Sequence, residues 1–93
     1  MEEIKTGDNK FYIGEDEENP IAEITFVPEG PSKIIVNHTY VSETLRGQGI
    51  ALILVNKVTE YAREENKKII PTCSFAKKVM TGSKEYEDVL ADI

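Results

Sequence analysis

The segment "LRGQGIA" (Leu45–Ala51) separates two parts of the chain that differ in hydrophobic periodicity. Before it, apolar and polar residues alternate, as in β-strands; after it, apolar residues recur every three to four positions, as in an α-helix. Two glycines and an arginine therefore lie at a strand-to-helix turn. The first N–H groups of a helix lack internal partners, and the helix dipole places partial positive charge there.

This arrangement predicts a binding site for a phosphate or pyrophosphate group. Gly47 and Gly49 have no Cβ, so an anion can approach the backbone closely, and Arg46 adds a permanent positive charge. A Gly-x-Gly pair is also compatible with a simple sharp turn. The segment matches neither Gly-x-Gly-x-x-Gly nor the Walker pattern.

The periodicity on either side of this segment predicts an α+β fold. Three strands joined by a charged turn and a Pro/Gly turn predict an antiparallel meander. A helix and a further strand follow, and a right-handed crossover would place that strand parallel to the third one. The predicted fold is a small mixed sheet with helices packed on it. The predicted elements are strands at Lys10–Glu15, Ile21–Val27, Lys33–Val41 and Lys67–Cys73, and helices at Gly49–Asn66, Ser74–Met80 and Lys84–Ile93.

Length and composition indicate one domain spanning residues 1–93. The net charge of −6, from 17 acidic and 11 basic residues, argues against a nucleic-acid partner and is compatible with a cationic one. The sequence shows neither an apolar run of about 20 residues, which a membrane helix needs, nor a signal peptide. A lone cysteine, Cys73, favours a reducing compartment, so we expect a cytoplasmic protein without a membrane partner. One histidine and one cysteine predict no metal site. The oligomeric state stays open.

The meander, the glycine segment, the amphipathic helix and the short strand together resemble the GNAT superfamily of acetyl-CoA-dependent N-acetyltransferases. The pyrophosphate loop of that superfamily reads Gln/Arg-x-x-Gly-x-Gly/Ala, and Arg46 to Ala51 match every defined position. In an alternative alignment Arg46 opens a shortened loop whose glycines are Gly47 and Gly49. A His-Thr pair before the loop and a Pro-x-Cys segment after the helix resemble a minimal branch, and the likeness extends from Phe11 to Met80.

The resemblance implies that coenzyme A lies where the strand ending near Val41 separates from the strand ending near Cys73. It implies transfer of an acetyl group from acetyl-CoA to an amine on a small molecule or protein. The alternative is a non-catalytic acyl-CoA-binding or interaction module on the same fold. The coenzyme-binding candidates are Val41 for the pantetheine arm, Arg46, Gly47, Gln48, Gly49, Ile50 and Ala51 for the pyrophosphate, and Ser74, Phe75 and Lys78 in the following helix.

Cys73 is a candidate catalytic residue, since the resemblance places it near the thioester. Its thiolate can carry the acetyl group in a ping-pong route if the start of a helix or nearby lysines lower its pKa. The alternative is that Cys73 only packs in the core as a small hydrophobic residue. Direct attack by the amine needs no such nucleophile.

His38 and Glu43 are the candidates for the general base. The imidazole of a histidine exchanges a proton near neutral pH, as deprotonation of an amine requires. Strand alternation predicts that His38 is half-buried on the face that carries Ile34, Val36 and Tyr40. The alternative for His38 is a structural role, hydrogen-bonded within the fold. The alternative for Glu43 is a solvated loop residue without a catalytic role.

Overall fold

The computed structural model describes residues 3–91 as a five-stranded mixed sheet with two α-helices. The strand order is β1-β2-β3-β4-β5, with antiparallel pairing up to β4 and parallel pairing between β4 and β5. This confirms the predicted fold class. The elements are β1 Lys5–Gly7, β2 Lys10–Ile13, β3 Ala22–Glu29, β4 Lys33–Val41, α1 Ile50–Glu64, β5 Lys68–Pro71 and α2 Ser74–Thr81, with 3-10 turns at Glu43–Leu45 and Lys84–Tyr86.

The antiparallel part has four strands, one more than the sequence predicted. β1 pairs with β2 through a two-residue turn at Asp8 and Asn9, and Asn9 has a left-handed backbone with φ of +57°. β1 was not predicted because Lys-Thr-Gly contains no apolar residue and so shows no alternation of apolar and polar positions. The Asp-Asn pair, which suits such a turn, is the signal that could have indicated it.

α1 packs on one face of the sheet. The Tyr61 ring lies 5.7 Å from the ring of Phe11 and 5.3 Å from that of Phe26. Leu54 of the same helix is fully buried, and burying a side chain of this size contributes roughly 1.5–3 kcal/mol. Ala76 and Met80 of α2 join the same core. The opposite face of the sheet, here called the open face, carries side chains that remain partly or largely exposed: Lys10, Tyr12, Glu23, Thr25, His38 and Tyr40.

β4 contains a bulge at Asn37. Phe26 pairs with Val36 and Thr25 pairs with His38, so Asn37 is an extra residue in β4. The Thr25 hydroxyl donates a 2.6 Å hydrogen bond to Asn37 Oδ1. A bulge bends its strand and increases the local twist.

The bulge changes which side chains of β4 face the helices. Thr39 pairs with buried Ile24 and therefore lies on the helix face, whereas His38 and Tyr40 lie on the open face. The prediction that His38 shares a face with Ile34 and Val36 is wrong, because alternation was counted without the extra residue. The His38 side chain is 57% exposed.

The predicted helix at Lys84–Ile93 is also wrong within the described residues. After the 3-10 turn, Leu90 forms a parallel bridge with Ile69, whose N–H donates to Val89 O at 2.6 Å. These backbone groups bond to β5 and so are not available for a helix. Positions 92 and 93 lie outside the described residues.

Arg63 of α1 fixes this C-terminal segment. Its guanidinium donates two hydrogen bonds to Asp88, at 2.9 and 3.0 Å, and one to Glu85 O at 2.7 Å. The hydrogen bond from Arg63 lowers the pKa of the Asp88 carboxyl group. Neither helix within residues 3–91 is long and apolar enough to cross a membrane.

Candidate functional site

A cavity of about 250 Å³ lies where the end of β4, the glycine segment, the first turn of α1 and the start of α2 meet. We call it the loop cavity. Seven of the ten predicted coenzyme-binding residues line it. Gln48, Ser74 and Lys78 are exposed and outside its lining. The lining residues are Val41, Leu45, Arg46, Gly47, Gly49, Ile50, Ala51, Leu52 and Phe75.

The two loop glycines are required by their backbone conformation. Gly47 has φ of +87° and Gly49 has φ of +74°, a region that other residues adopt at a cost. A Cβ at either position would meet no atom within 4 Å, so the space over the backbone is open. The first hydrogen bond of α1 runs from Ile53 N–H to Gly49 O at 3.1 Å, and Gly49 provides no side-chain cap. The preceding N–H groups are therefore available to an anion.

Arg46 connects the loop to the end of β4. Its Nε donates a 3.2 Å hydrogen bond to Val41 O, and its backbone N–H donates to Glu43 O at 3.3 Å. The side-chain bond uses only one of the five guanidinium donors, so the two terminal nitrogens can still bind an anion.

β4 and β5 separate beyond Val36. Their pairing ends at Val36 and Pro71, where the N–H groups of Thr72 and Cys73 both donate to Val36 O, at 3.0 and 3.1 Å. β4 continues to Val41 with β3 as its paired neighbour, whereas the segment that follows β5 turns into α2. We call the resulting gap the β4–β5 cleft.

Cys73 lies at the closed end of this cleft. Its Sγ is 3.4 Å from Thr39 Oγ1, which the bulge places on the same side of the sheet. Burial raises the pKa of the Cys73 thiol, but the Thr39 hydroxyl and the N–H groups of Ala76 and Phe75 stabilise the thiolate by more. The net pKa is below the ordinary value for cysteine, which increases the reactive thiolate fraction.

Replacing Thr39 by valine is expected to raise the pKa of Cys73, because the thiolate loses its hydroxyl donor. The rate of alkylation of Cys73 by iodoacetamide, measured from pH 6 to 9, should then rise at higher pH than in the unmodified protein. Thr72→Val is the matched control, since Thr72 Oγ1 bonds to Val36 O at 3.3 Å rather than to the sulfur. Identical pH profiles for all three proteins would contradict the assignment.

The two candidate bases lie apart from the loop cavity. His38 is on the open face, and Glu43 is exposed in the 3-10 turn; neither lines the cavity. Their roles stay predictions. The sequence reasoning missed Thr39, whose contact with Cys73 depends on the bulge. It also missed Leu45 and Leu52, which flank the glycines and line the cavity.

Comparison with known proteins gives the family. The family model described as GCN5-related N-acetyl-transferase matches residues 10–89. The chain therefore belongs to the GCN5-related N-acetyltransferase family. A search of curated proteins found no match.

Solved structures support the same fold. The solution structure of a GCN5-like candidate N-acetyltransferase from Staphylococcus aureus is 48% identical, with a TM-score of 0.83, and the alignment covers 98% of this chain and 89% of that one. Ribosomal-protein-alanine N-acetyltransferase from Brucella melitensis biovar Abortus 2308 is 24% identical, with a TM-score of 0.54. Its alignment covers 91% of this chain and 66% of that one, and it supports the fold alone.

Proposed function

We propose that this protein transfers an acetyl group from acetyl-CoA to the nitrogen of an amine, on a small molecule or a protein. The observation that supports this most strongly is the loop cavity, which combines the Arg46 guanidinium, two left-handed glycines and the start of α1. It shares Val41 with the β4–β5 cleft, so the proposed phosphate site and the proposed acetyl site adjoin.

The residues present fit coenzyme A at both ends. The open space over Gly47 and Gly49 and the N–H groups at the start of α1 suit a pyrophosphate. In an antiparallel ladder, successive residues direct their backbone groups alternately toward the partner strand and away from it. Ser42 N–H donates to Ile21 O, at 2.8 Å, toward β3. The backbone groups of Val41 and Thr39 therefore point away from β3, toward the β4–β5 cleft. Val41 O already accepts the hydrogen bond from Arg46 Nε, so we propose that Val41 N–H and the backbone groups of Thr39 bind the pantetheine arm.

We propose direct transfer, in which the acceptor amine attacks the thioester that bound acetyl-CoA supplies. The contribution of the protein is then positioning and a path for the proton, with His38 or Glu43 as the base. In this proposal the thioester lies beside Cys73. A covalent route through Cys73 is the competing mechanism, and the lowered pKa of its thiol favours it.

Thermal unfolding in the presence of acetyl-CoA, CoA or ATP tests the binding half of this proposal. A ligand at about 100 times its dissociation constant stabilises a protein by about 2.7 kcal/mol. For a domain of this size we expect the unfolding midpoint to rise on the order of 10 °C with either CoA species. No rise with acetyl-CoA would contradict the proposal.

Acetyl transfer to a panel of amines and peptides, with and without Cys73→Ala, tests the catalytic half. Direct transfer predicts that Cys73→Ala still supports turnover and that acetyl-CoA and amine bind in one ternary complex. Loss of turnover with unchanged CoA affinity would favour the covalent route. Coenzyme binding without transfer to any amine would instead indicate an acyl-CoA-binding module.

A further inference from the structure

Glu23 lies at the centre of the open face, between two tyrosines. It pairs directly with Tyr12 of β2 and with Tyr40 of β4. Side chains directly opposite each other on antiparallel strands have Cβ atoms about 4.5–5.5 Å apart, so two phenol rings flank one carboxylate. The Glu23 side chain is 18% exposed and Tyr40 is 41% exposed, so the group is reachable from solvent.

The carboxylate of Glu23 attracts positive charge and retains capacity for more. Lys10 Nζ lies 3.5 Å from Oε1, and His38 Nε2 lies 4.0 Å from Oε2, which is beyond hydrogen-bond distance. A carboxylate has about four acceptor positions, so Oε2 can still bind a donor. Lys5, in register with Tyr12, does not compete, because its Nζ donates to Gly14 O at 2.8 Å.

We infer that the acceptor docks on the open face as a positively charged amine, against Glu23 Oε2 and between Tyr12 and Tyr40. This inference rests on the proposed acetyl transfer and names the residues that hold its acceptor. An ammonium group gains a charge-assisted hydrogen bond from the carboxylate and cation–π attraction from the rings. The net charge of −6 draws cations toward the protein in general.

His38 lies beside this site and can deprotonate the docked ammonium group. One proton passes from the ammonium to His38 Nε2, which leaves a neutral amine with a lone pair and an imidazolium that Glu23 stabilises. Thr39, the next residue of β4, lies on the opposite face and contacts Cys73. His38 and Thr39 therefore lie next to each other along β4, with His38 on the face of the docked amine and Thr39 on the face of Cys73.

Titration with n-butylammonium chloride, in the presence of CoA and without acetyl-CoA, tests the binding site without turnover. We expect the largest amide chemical-shift changes around Glu23 and Tyr40. Glu23→Gln should weaken binding about ten-fold or more, the effect of losing one charged hydrogen bond. Glu29→Gln is the matched control: it removes the same charge from the same strand, about 20 Å away, and should change binding less than about two-fold.

Two further variants separate recognition from a structural role of Glu23. Lys10→Gln removes the competing cation and should tighten n-butylammonium binding. If the Lys10–Glu23 ion pair instead only stabilises the fold, Lys10→Gln should weaken binding as Glu23→Gln does. Tyr40→Leu keeps the carboxylate and should weaken binding about two- to five-fold through loss of the ring. Equal affinities for Glu23→Gln and the unmodified protein would overturn the inference.

A parallel assay of acetyl transfer distinguishes this inference from the proposed function. If the unmodified protein acetylates n-butylamine and Glu23→Gln does so with the same KM, the inference is wrong and the function stands. If n-butylammonium binds at Glu23 but no amine is acetylated, the cation site stands and the proposed function fails.

Discussion

Replacing Gly49 by alanine is expected to weaken acetyl-CoA binding about 100-fold, the effect of losing roughly two charged hydrogen bonds to the pyrophosphate. The new methyl group would enter the open space above the loop, where we propose that the pyrophosphate binds. The left-handed backbone at this position also resists any residue with a Cβ. Isothermal titration calorimetry with acetyl-CoA measures the effect.

Gly30→Ala is the control for the backbone penalty. Gly30 has φ of +69°, its Cβ would also meet no atom within 4 Å, and it lies in the turn between β3 and β4. Both variants should lose about 1–2 kcal/mol of folding free energy, and their unfolding midpoints should fall by similar amounts. Only Gly49→Ala should lose affinity for acetyl-CoA. Equal affinity losses would show that reduced stability, and not the loop, explains the effect.

Deleting Asn37 is expected to leave a folded protein that binds acetyl-CoA about 100-fold more weakly. Without the extra residue, Val36 and His38 become consecutive and the β3–β4 ladder becomes regular, with every side chain on its present face. The bend and added twist of the bulge are lost, so the backbone groups of Thr39 and Val41 move relative to Arg46. Loss of about two hydrogen bonds from these groups to the pantetheine arm, at about 1–1.5 kcal/mol each, lowers the affinity about 100-fold.

The control for this deletion is Asn37→Ala, which keeps the bulge and removes only the side-chain bond from Thr25. It should bind acetyl-CoA nearly as well as the unmodified protein. Amide spectra would confirm that both variants are folded, and calorimetry would give their affinities. A deletion variant with unchanged affinity would show that the bulge does not shape the cleft.

Local patterns predicted most of the secondary structure because they depend on neighbouring residues. β4 has the predicted bounds, Lys33–Val41, and the alternation in β3 correctly separates buried from exposed positions. The bulge could not be predicted in the same way, since it depends on how two strands align. The helix prediction for the C-terminal segment failed for a similar reason, because the backbone of this segment bonds to Ile69, about 20 positions earlier in the chain.

The same distinction applies to the candidate site. The loop residues are contiguous, so one motif identified them and the structure gathers most of them around one cavity. The contact between Thr39 and Cys73 joins residues 34 positions apart and follows from strand pairing. Glu23 has no motif at all; its position between two tyrosines becomes visible only from the register of three strands.

The bridge between Ile69 and Leu90 covers the outer edge of β5. β5 is the last strand of the sheet, and an exposed last strand can pair with the sheet of another molecule. Here the outward-facing N–H and C=O of Ile69 are both occupied, by Val89 and Ala91. Pro71, the next outward-facing residue, has no N–H to donate. The outer edge of β5 therefore offers few free backbone groups with which a strand of another molecule could pair.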